Sequence, residues 1–111
     1  MGGKVLAVPS PGAFTDVFQM LQGRIAGVWV TGSVNNYRIR VRNAAAPPLV
    51  VLDGIVFYGY NDQAVNDLLM SIPPSAVEYI EVLKNIADAA IYGPGAGNGV
   101  IVVHTLPGEE E

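Results

Sequence analysis

Apolar residues recur at helical spacing in two places along the chain. Side chains at positions i, i+3, i+4 and i+7 share one face of a helix, so each stripe predicts an amphipathic helix. Asn61 and Asp62 stand where an N-cap and a first-turn carboxylate are favoured, ahead of the second stripe. Pro73 and Pro74 prevent that helix from continuing. The stripes are Phe14, Val17, Phe18 and Leu21, and Val65, Leu68, Leu69 and Ile72.

Between the two helices the pattern changes to the two-residue period of strands. Residues 28–31 are followed by a turn over 32–36 and by the alternating segment 37–41, which together predict an antiparallel hairpin. Tyr37, Ile39 and Val41 share one face of the second strand. The opposite face carries a basic row, Arg38, Arg40 and Arg42.

Three further apolar runs predict strands. Residues 49–52 form a continuous apolar run typical of a strand buried on both faces, and Asp53-Gly54 predicts a turn after it. Residues 77–82 and 100–103 are rich in β-branched side chains. Residues 5–8 form either a strand or an ordered lead-in, and the prolines that follow make this segment an edge element at best. We therefore expect an α+β fold, a small mixed β-sheet with two or three short helices packed on it.

Two shorter features complete this pattern. Ser75 and Glu78 have the spacing of a capping box before the strand that starts near residue 77. The apolar residues of the segment 86–91 predict a compact helix that ends at Gly93; they are Ile86, Ala87, Ala89, Ala90 and Ile91.

Composition narrows the classes of function. With 111 residues the chain is long enough for one domain with its own core. A net charge of −4 with six basic residues argues against a nucleic-acid partner. The absence of cysteine excludes disulfides and thiolate chemistry. No apolar run approaches the roughly 20 residues of a spanning helix, and the first residues lack the apolar core of an export signal.

The sequence offers few candidates for catalytic, metal-binding or cofactor-binding residues. The loop Gly93, Gly95, Gly97 and Gly99 follows a predicted helix and precedes a strand, the reverse of a phosphate-binding loop, so we expect its glycines to serve backbone geometry. His104 is the only histidine, and no catalytic partner can be assigned to it, so a structural or surface role is expected. We predict no catalytic set, no metal site and no cofactor, hence no enzyme.

Two groups of side chains are candidates for contact with a partner. Arg38, Arg40 and Arg42 either form a solvated face paired with nearby carboxylates or meet an acidic partner surface. Tyr58 and Tyr60, with Phe57, cluster in the predicted loop after Asp53-Gly54. That cluster either packs as a lid or offers an aromatic contact surface.

Six strings in a fixed order carry a resemblance to one family, the plug domain of TonB-dependent outer-membrane receptors, and within it the SusC/RagA-like branch. That branch has patterns such as LQGKVAGV, PLYVVDG and IEVLKD followed by AAIYG and NGVI. The matching strings here are LQGRIAGV (21–28), RIRVR (38–42), PLVVLDG (48–54), IEVLK (80–84), AAIYG (89–93) and NGVIVVHT (98–105).

The resemblance implies a plug that occludes and gates a β-barrel of about 22 strands for solute import. It implies residues 1–13 as a lead-in, 14–106 as the plug-like domain and 107–111 as a polar tail. The implied partners are the barrel of the same receptor, the TonB protein acting through an upstream segment, and a large solute, often an oligosaccharide in SusC-like members. The full receptor would lie in the outer membrane, with this domain alone soluble and facing the periplasm.

Two other classes of function stay open. A plug-like interaction or assembly module of a non-receptor protein would use the same fold without gating. A small α+β enzyme would need a catalytic constellation that the sequence does not display.

Overall fold

The computed structural model describes residues 3–5, 17–21, 27–42, 44–58, 61–85 and 89–106. In these ranges a five-stranded sheet and a separate two-stranded hairpin pack with two α-helices. The strands are β1 (Gly3–Val5), β2 (Val28–Ser33), β3 (Asn36–Val41), β4 (Leu49–Leu52), β5 (Ile55–Phe57), β6 (Val77–Leu83) and β7 (Val100–Thr105). The helices are α1 (Val17–Leu21) and α2 (Asp62–Met70), and 3₁₀ helices cover Pro74–Ala76, Ala90–Tyr92 and Pro94–Asn98.

The five-stranded sheet is mixed, as predicted, with the order β1-β6-β7-β4-β5. β4 and β7 run parallel, and every other neighbouring pair is antiparallel. β4 and β7 lie inside the sheet, which explains why both are continuous apolar runs. β1 lies at the edge of the sheet, within the predicted lead-in, and shares only Val5 with the first apolar run. Residues 6–8 of that run lie outside the described residues.

The two faces of this sheet bury two apolar clusters. Ile101 and Val103 of β7 face the larger cluster, which includes α1, α2 and the inner face of the β2–β3 hairpin. Val100 and Val102 face the smaller one, which is covered by the segment holding Ala89 and Ala96. The two clusters form the domain's own core. Complete burial of each large aliphatic side chain contributes about 1.5–3 kcal/mol to the free energy of folding.

Both predicted helical stripes face the larger cluster where they are described. Val17, Phe18 and Leu21 of α1 are fully buried, while Phe14 lies outside the described residues. Phe18 also stacks on Tyr37 with ring centroids 4.4 Å apart. The predicted cap of α2 is confirmed, because the Asn61 side chain accepts a hydrogen bond of 2.8 Å from the Ala64 N–H.

The hairpin forms as predicted, with a shorter turn. The strands extend to Ser33 and from Asn36, which leaves a turn of Val34 and Asn35. Asn35 adopts φ 67, a left-handed conformation that asparagine tolerates better than most residues. The two-residue length of the turn helps to set the register in which the two strands pair.

Two local predictions differ from the structure. The capping box is wrong, since Ser75 lies inside the 3₁₀ helix Pro74–Ala76, Glu78 belongs to β6, and no side chain caps the 3₁₀ helix. The segment after Asp53-Gly54 begins as strand β5 and not as a loop. In the predicted helix at residues 86–91, Ala89 is α-helical and its N–H donates to the Asn85 carbonyl at 3.0 Å. The 3₁₀ helix Ala90–Tyr92 follows it, and residues 86–88 lie outside the described residues.

No helix in the described ranges combines the length and the apolar content needed to cross a bilayer.

Candidate interaction surface

The outer face of the β2–β3 hairpin carries two of the predicted arginines. Trp29 lies opposite Arg40 and Thr31 lies opposite Arg38, so these four side chains share one face. The opposite face buries Tyr37, which completes the alternation expected from the sequence. Trp29 is 62% exposed, an unusually open position for a tryptophan.

Asp62 at the start of α2 binds both of these arginines. Arg40 donates from Nη1 to Oδ1 at 2.5 Å and from Nη2 to Oδ2 at 3.2 Å, a bidentate pair. The Nε of Arg38 lies 3.3 Å from Oδ2. The hydrogen bond from Arg40 lowers the pKa of Asp62, partial burial opposes this shift, and the charges of Arg40 and Arg38 add to it. The carboxylate predicted as a helix-start residue therefore also fastens the hairpin to α2.

Arg42 differs from the other two. It follows β3 with φ 58, its N–H donates to the Gly27 carbonyl at 2.6 Å, and its side chain is exposed. No ion pair involves its guanidinium among the described residues. Two arginines of the basic row thus bind Asp62, and contact of Arg42 with a partner stays a prediction.

A buried amide makes a second link between the hairpin and α2. Asn66 is 1% exposed, and its Oδ1 accepts a hydrogen bond of 2.9 Å from the Tyr37 N–H. Loss of the partner of a buried hydrogen bond typically costs about 1–3 kcal/mol, so this contact stabilises the packing of the hairpin on α2. The apolar pattern of α2 does not predict this contact. The only sign of it in the sequence is that a polar residue, Asn66, follows the apolar Val65.

Two hollows border this part of the surface. A hollow of about 210 Å³ lies where the hairpin meets the start of α2, and Arg38 and Asp62 are among the polar residues that line it. An apolar hollow of about 120 Å³ separates β5 from α2. Tyr58 lines the apolar hollow and is 51% exposed, and Tyr60 lies outside the described residues. The sheet edge at β5 also exposes Ile55 and Phe57.

The glycine loop forms the 3₁₀ helix Pro94–Asn98 between two glycines of positive φ. Gly93 and Gly99 have φ 92 and φ 93, whereas Gly95 and Gly97 lie inside the helix without positive φ. A Cβ on Gly99 would lie 2.7 Å from the Cβ of Val41, so the start of β7 passes directly against β3. Positive φ at both Gly93 and Gly99, and the close approach to Val41 at Gly99, support a backbone role for these two glycines, which stays a prediction.

His104 contacts two side chains of β6. Its ring stacks on Tyr79 with centroids 4.1 Å apart, and its Nε2 lies 3.4 Å from Glu81 Oε1. In the part of the chain that the structure describes, no three His, Asp or Glu side chains are grouped so that they could hold a metal ion.

The Asp62 contacts predict an acid-dependent stability. A carboxylate whose pKa is lowered by folding contributes stability above its unfolded pKa of about 3.9, and that contribution is lost as the pH falls through the folded pKa. We expect Asp62→Asn to lower the free energy of unfolding at pH 7 by about 1 kcal/mol, since the pair is partly exposed. The difference between parent and variant should be smaller at pH 2 than at pH 7, because protonation removes the carboxylate charge.

Urea unfolding at both pH values measures this effect. Glu78→Gln is the matched control, because Glu78 is exposed and makes no ion pair among the described residues. An Asp62→Asn penalty that stays the same at low pH would show that the carboxylate charge is not its source.

Comparison with known protein families identifies the fold. Residues 10–100 match the family model of the TonB-dependent receptor plug domain. The TonB-dependent receptor SusC of Bacteroides thetaiotaomicron is 34% identical over 98% of this chain, and the receptor P26 of Formosa agariphila is 39% identical over 83%. The chain spans 12% and 10% of the lengths of these relatives.

Solved structures of related receptors contain the same fold. The RagAB peptide importer in its open-open state superposes on the whole chain with a TM-score of 0.77 at 23% identity, a likeness of fold. The siderophore receptor PirA from Acinetobacter baumannii covers 87% of the chain with a TM-score of 0.63 at 30% identity. These matches cover 12% and 16% of the two solved chains. The chain therefore belongs to the family of TonB-dependent receptor plug domains.

Proposed function

We propose that this domain occludes the lumen of an outer-membrane β-barrel and gates the import of a large solute. The observation that carries the proposal is the family match over residues 10–100, in the SusC-like branch. The relatives are receptors and transporters, which supports a role in transport without catalysis. The barrel, the solute and the TonB protein acting through an upstream segment are the proposed partners.

A plug has to keep its shape without help from lipid. Both faces of the sheet around β4 and β7 are covered by this chain's own residues, and the hairpin is tied to α2 through Asp62 and Asn66. These contacts support a domain that retains its fold while it is loosely seated in a polar cavity.

We propose the outer face of the hairpin as a contact with the barrel wall. Barrel interiors of this class are polar, and an acidic wall would complement Arg42 and the exposed part of Arg38. Because Asp62 already binds Arg40, the face around Trp29 is ordered before docking. Docking of this face therefore costs little side-chain entropy. Tyr58, at the apolar hollow, is a second candidate contact.

Conductance of a chimeric receptor tests the proposal. The plug of a SusC-type receptor is replaced by this chain, and single barrels are recorded in planar bilayers beside a barrel without any plug. We expect the chimera to be closed and the plugless barrel to be open. A chimera that contains a folded plug and yet conducts like the plugless barrel would contradict the proposal.

Arg42→Glu in that chimera tests the contact face. Since the side chain makes no ion pair among the described residues, the change alters docking without removing an internal bond. A like charge facing an acidic wall costs several kcal/mol, so we expect the variant to leak. Glu78→Lys is the control for a charge change elsewhere; equal leakage from both variants would exclude a specific role for Arg42.

A further inference from the structure

The end of β7 is held from two sides. The Thr105 N–H donates to Asp53 Oδ1 at 2.9 Å, and the Thr105 hydroxyl donates to Oδ2 at 2.5 Å. The next amide, that of Leu106, donates to the Ala76 carbonyl at 2.7 Å. Consecutive residues at the end of the strand are thus bonded to two different parts of the fold.

The position of Asp53 explains why its side chain takes this role. Its N–H donates to the Val103 carbonyl at 3.0 Å, in line with the parallel pairing of β4 and β7. The backbone then turns away, with φ 48 at Asp53 and φ 89 at Gly54. A strand that continued would offer a carbonyl to the next amide of β7. Here the Asp53 carboxylate supplies that acceptor, so the pairing extends by one residue.

Aspartate meets both structural requirements at position 53. The turn needs a residue that tolerates positive φ, which favours Gly, Asn and Asp. Of these, only aspartate brings two anionic oxygens that can accept from an N–H and an O–H together. The hydrogen bond from the Thr105 side chain, and then the one from its backbone, lower the pKa of Asp53, which agrees with an ionised acceptor.

We propose that Asp53 and Thr105 form a clasp that fixes where, and in which direction, the chain leaves the sheet. The clasp joins residues 52 positions apart in the sequence. Its value to transport rests on the proposed function, since a fixed exit would set the position of the plug relative to a barrel that follows it in the chain.

Amide hydrogen exchange on the 111-residue chain, followed by NMR, tests the clasp. Asp53→Gly keeps a turn residue that accepts positive φ and removes the carboxylate. We expect exchange at the Thr105 and Leu106 amides to become about tenfold faster, the size of one solvent-screened, charge-assisted hydrogen bond. Exchange at the Ile101 amide, in the middle of β7, should not change.

Thr105 variants provide an independent test. Thr105→Val removes only the hydroxyl and should raise exchange at Leu106 by a smaller factor, while Thr105→Ser should restore the parent rate. Unchanged rates at Thr105 and Leu106 in Asp53→Gly would overturn the clasp. Equal acceleration at Ile101 would also overturn it, because it would indicate a loss of stability across the whole sheet. No barrel is involved, so this result is separate from the conductance test.

Discussion

Ile80→Asp is expected to abolish folding of the chain. Ile80 is 1% exposed and pairs with Val103 in the middle of the five-stranded sheet, where it faces the larger apolar cluster. Loss of the aliphatic side chain removes about 2–5 kcal/mol of packing. The carboxylate must also be buried without a partner or be protonated, which costs several kcal/mol more. The sum is comparable to the whole stability of a small domain, about 5–15 kcal/mol.

Circular dichroism and an amide NMR spectrum measure the outcome. Ile91→Asp is the matched control, because Ile91 is 78% exposed and the chemical change is the same. We expect the control to stay within about 0.5 kcal/mol of the parent. An Ile80→Asp variant that melts with the parent would show that β6 is assigned wrongly.

Gly99→Ala is expected to destabilise the domain by about 2–6 kcal/mol through two separate effects. Gly99 has φ 93 and ψ 166, a conformation essentially reserved for glycine, and any side chain there costs about 1–3 kcal/mol. Its Cβ would also lie 2.7 Å from the Cβ of Val41, which forces β3 and β7 apart. Overpacking of this kind adds about 1–3 kcal/mol, and Gly99→Val should cost more again.

The same loop provides controls that separate the two effects. Gly93 has nearly the same backbone conformation, φ 92 and ψ −173, but an added Cβ meets no atom within 4 Å. Gly93→Ala should therefore show the conformational cost alone. Gly97 has neither positive φ nor a close neighbour, so Gly97→Ala should be almost neutral. In urea unfolding we expect the penalties to increase from Gly97 to Gly93 to Gly99; equal penalties at Gly97 and Gly99 would refute both arguments.

Most of the secondary structure could be predicted because its signals are local. The stripe containing Val65 and Leu69 marks one face of a helix, and the alternation around Ile39 marks one face of a strand. Each depends only on the period with which side chains return to the same side. The predictions that failed were also local, such as the capping box at Ser75, which lies inside a 3₁₀ helix while Glu78 already belongs to β6.

The sequence by itself determined the α+β class, the hairpin, the capped second helix and, through strings such as those at 48–54 and 98–105, the family. Only the tertiary structure decided that Arg40 meets Asp62, that Tyr37 meets Asn66, and that Thr105 meets Asp53. These partners are separated by 22, 29 and 52 positions. Periodicity shows which face of an element is buried, but the neighbour that covers that face depends on how distant elements pack together.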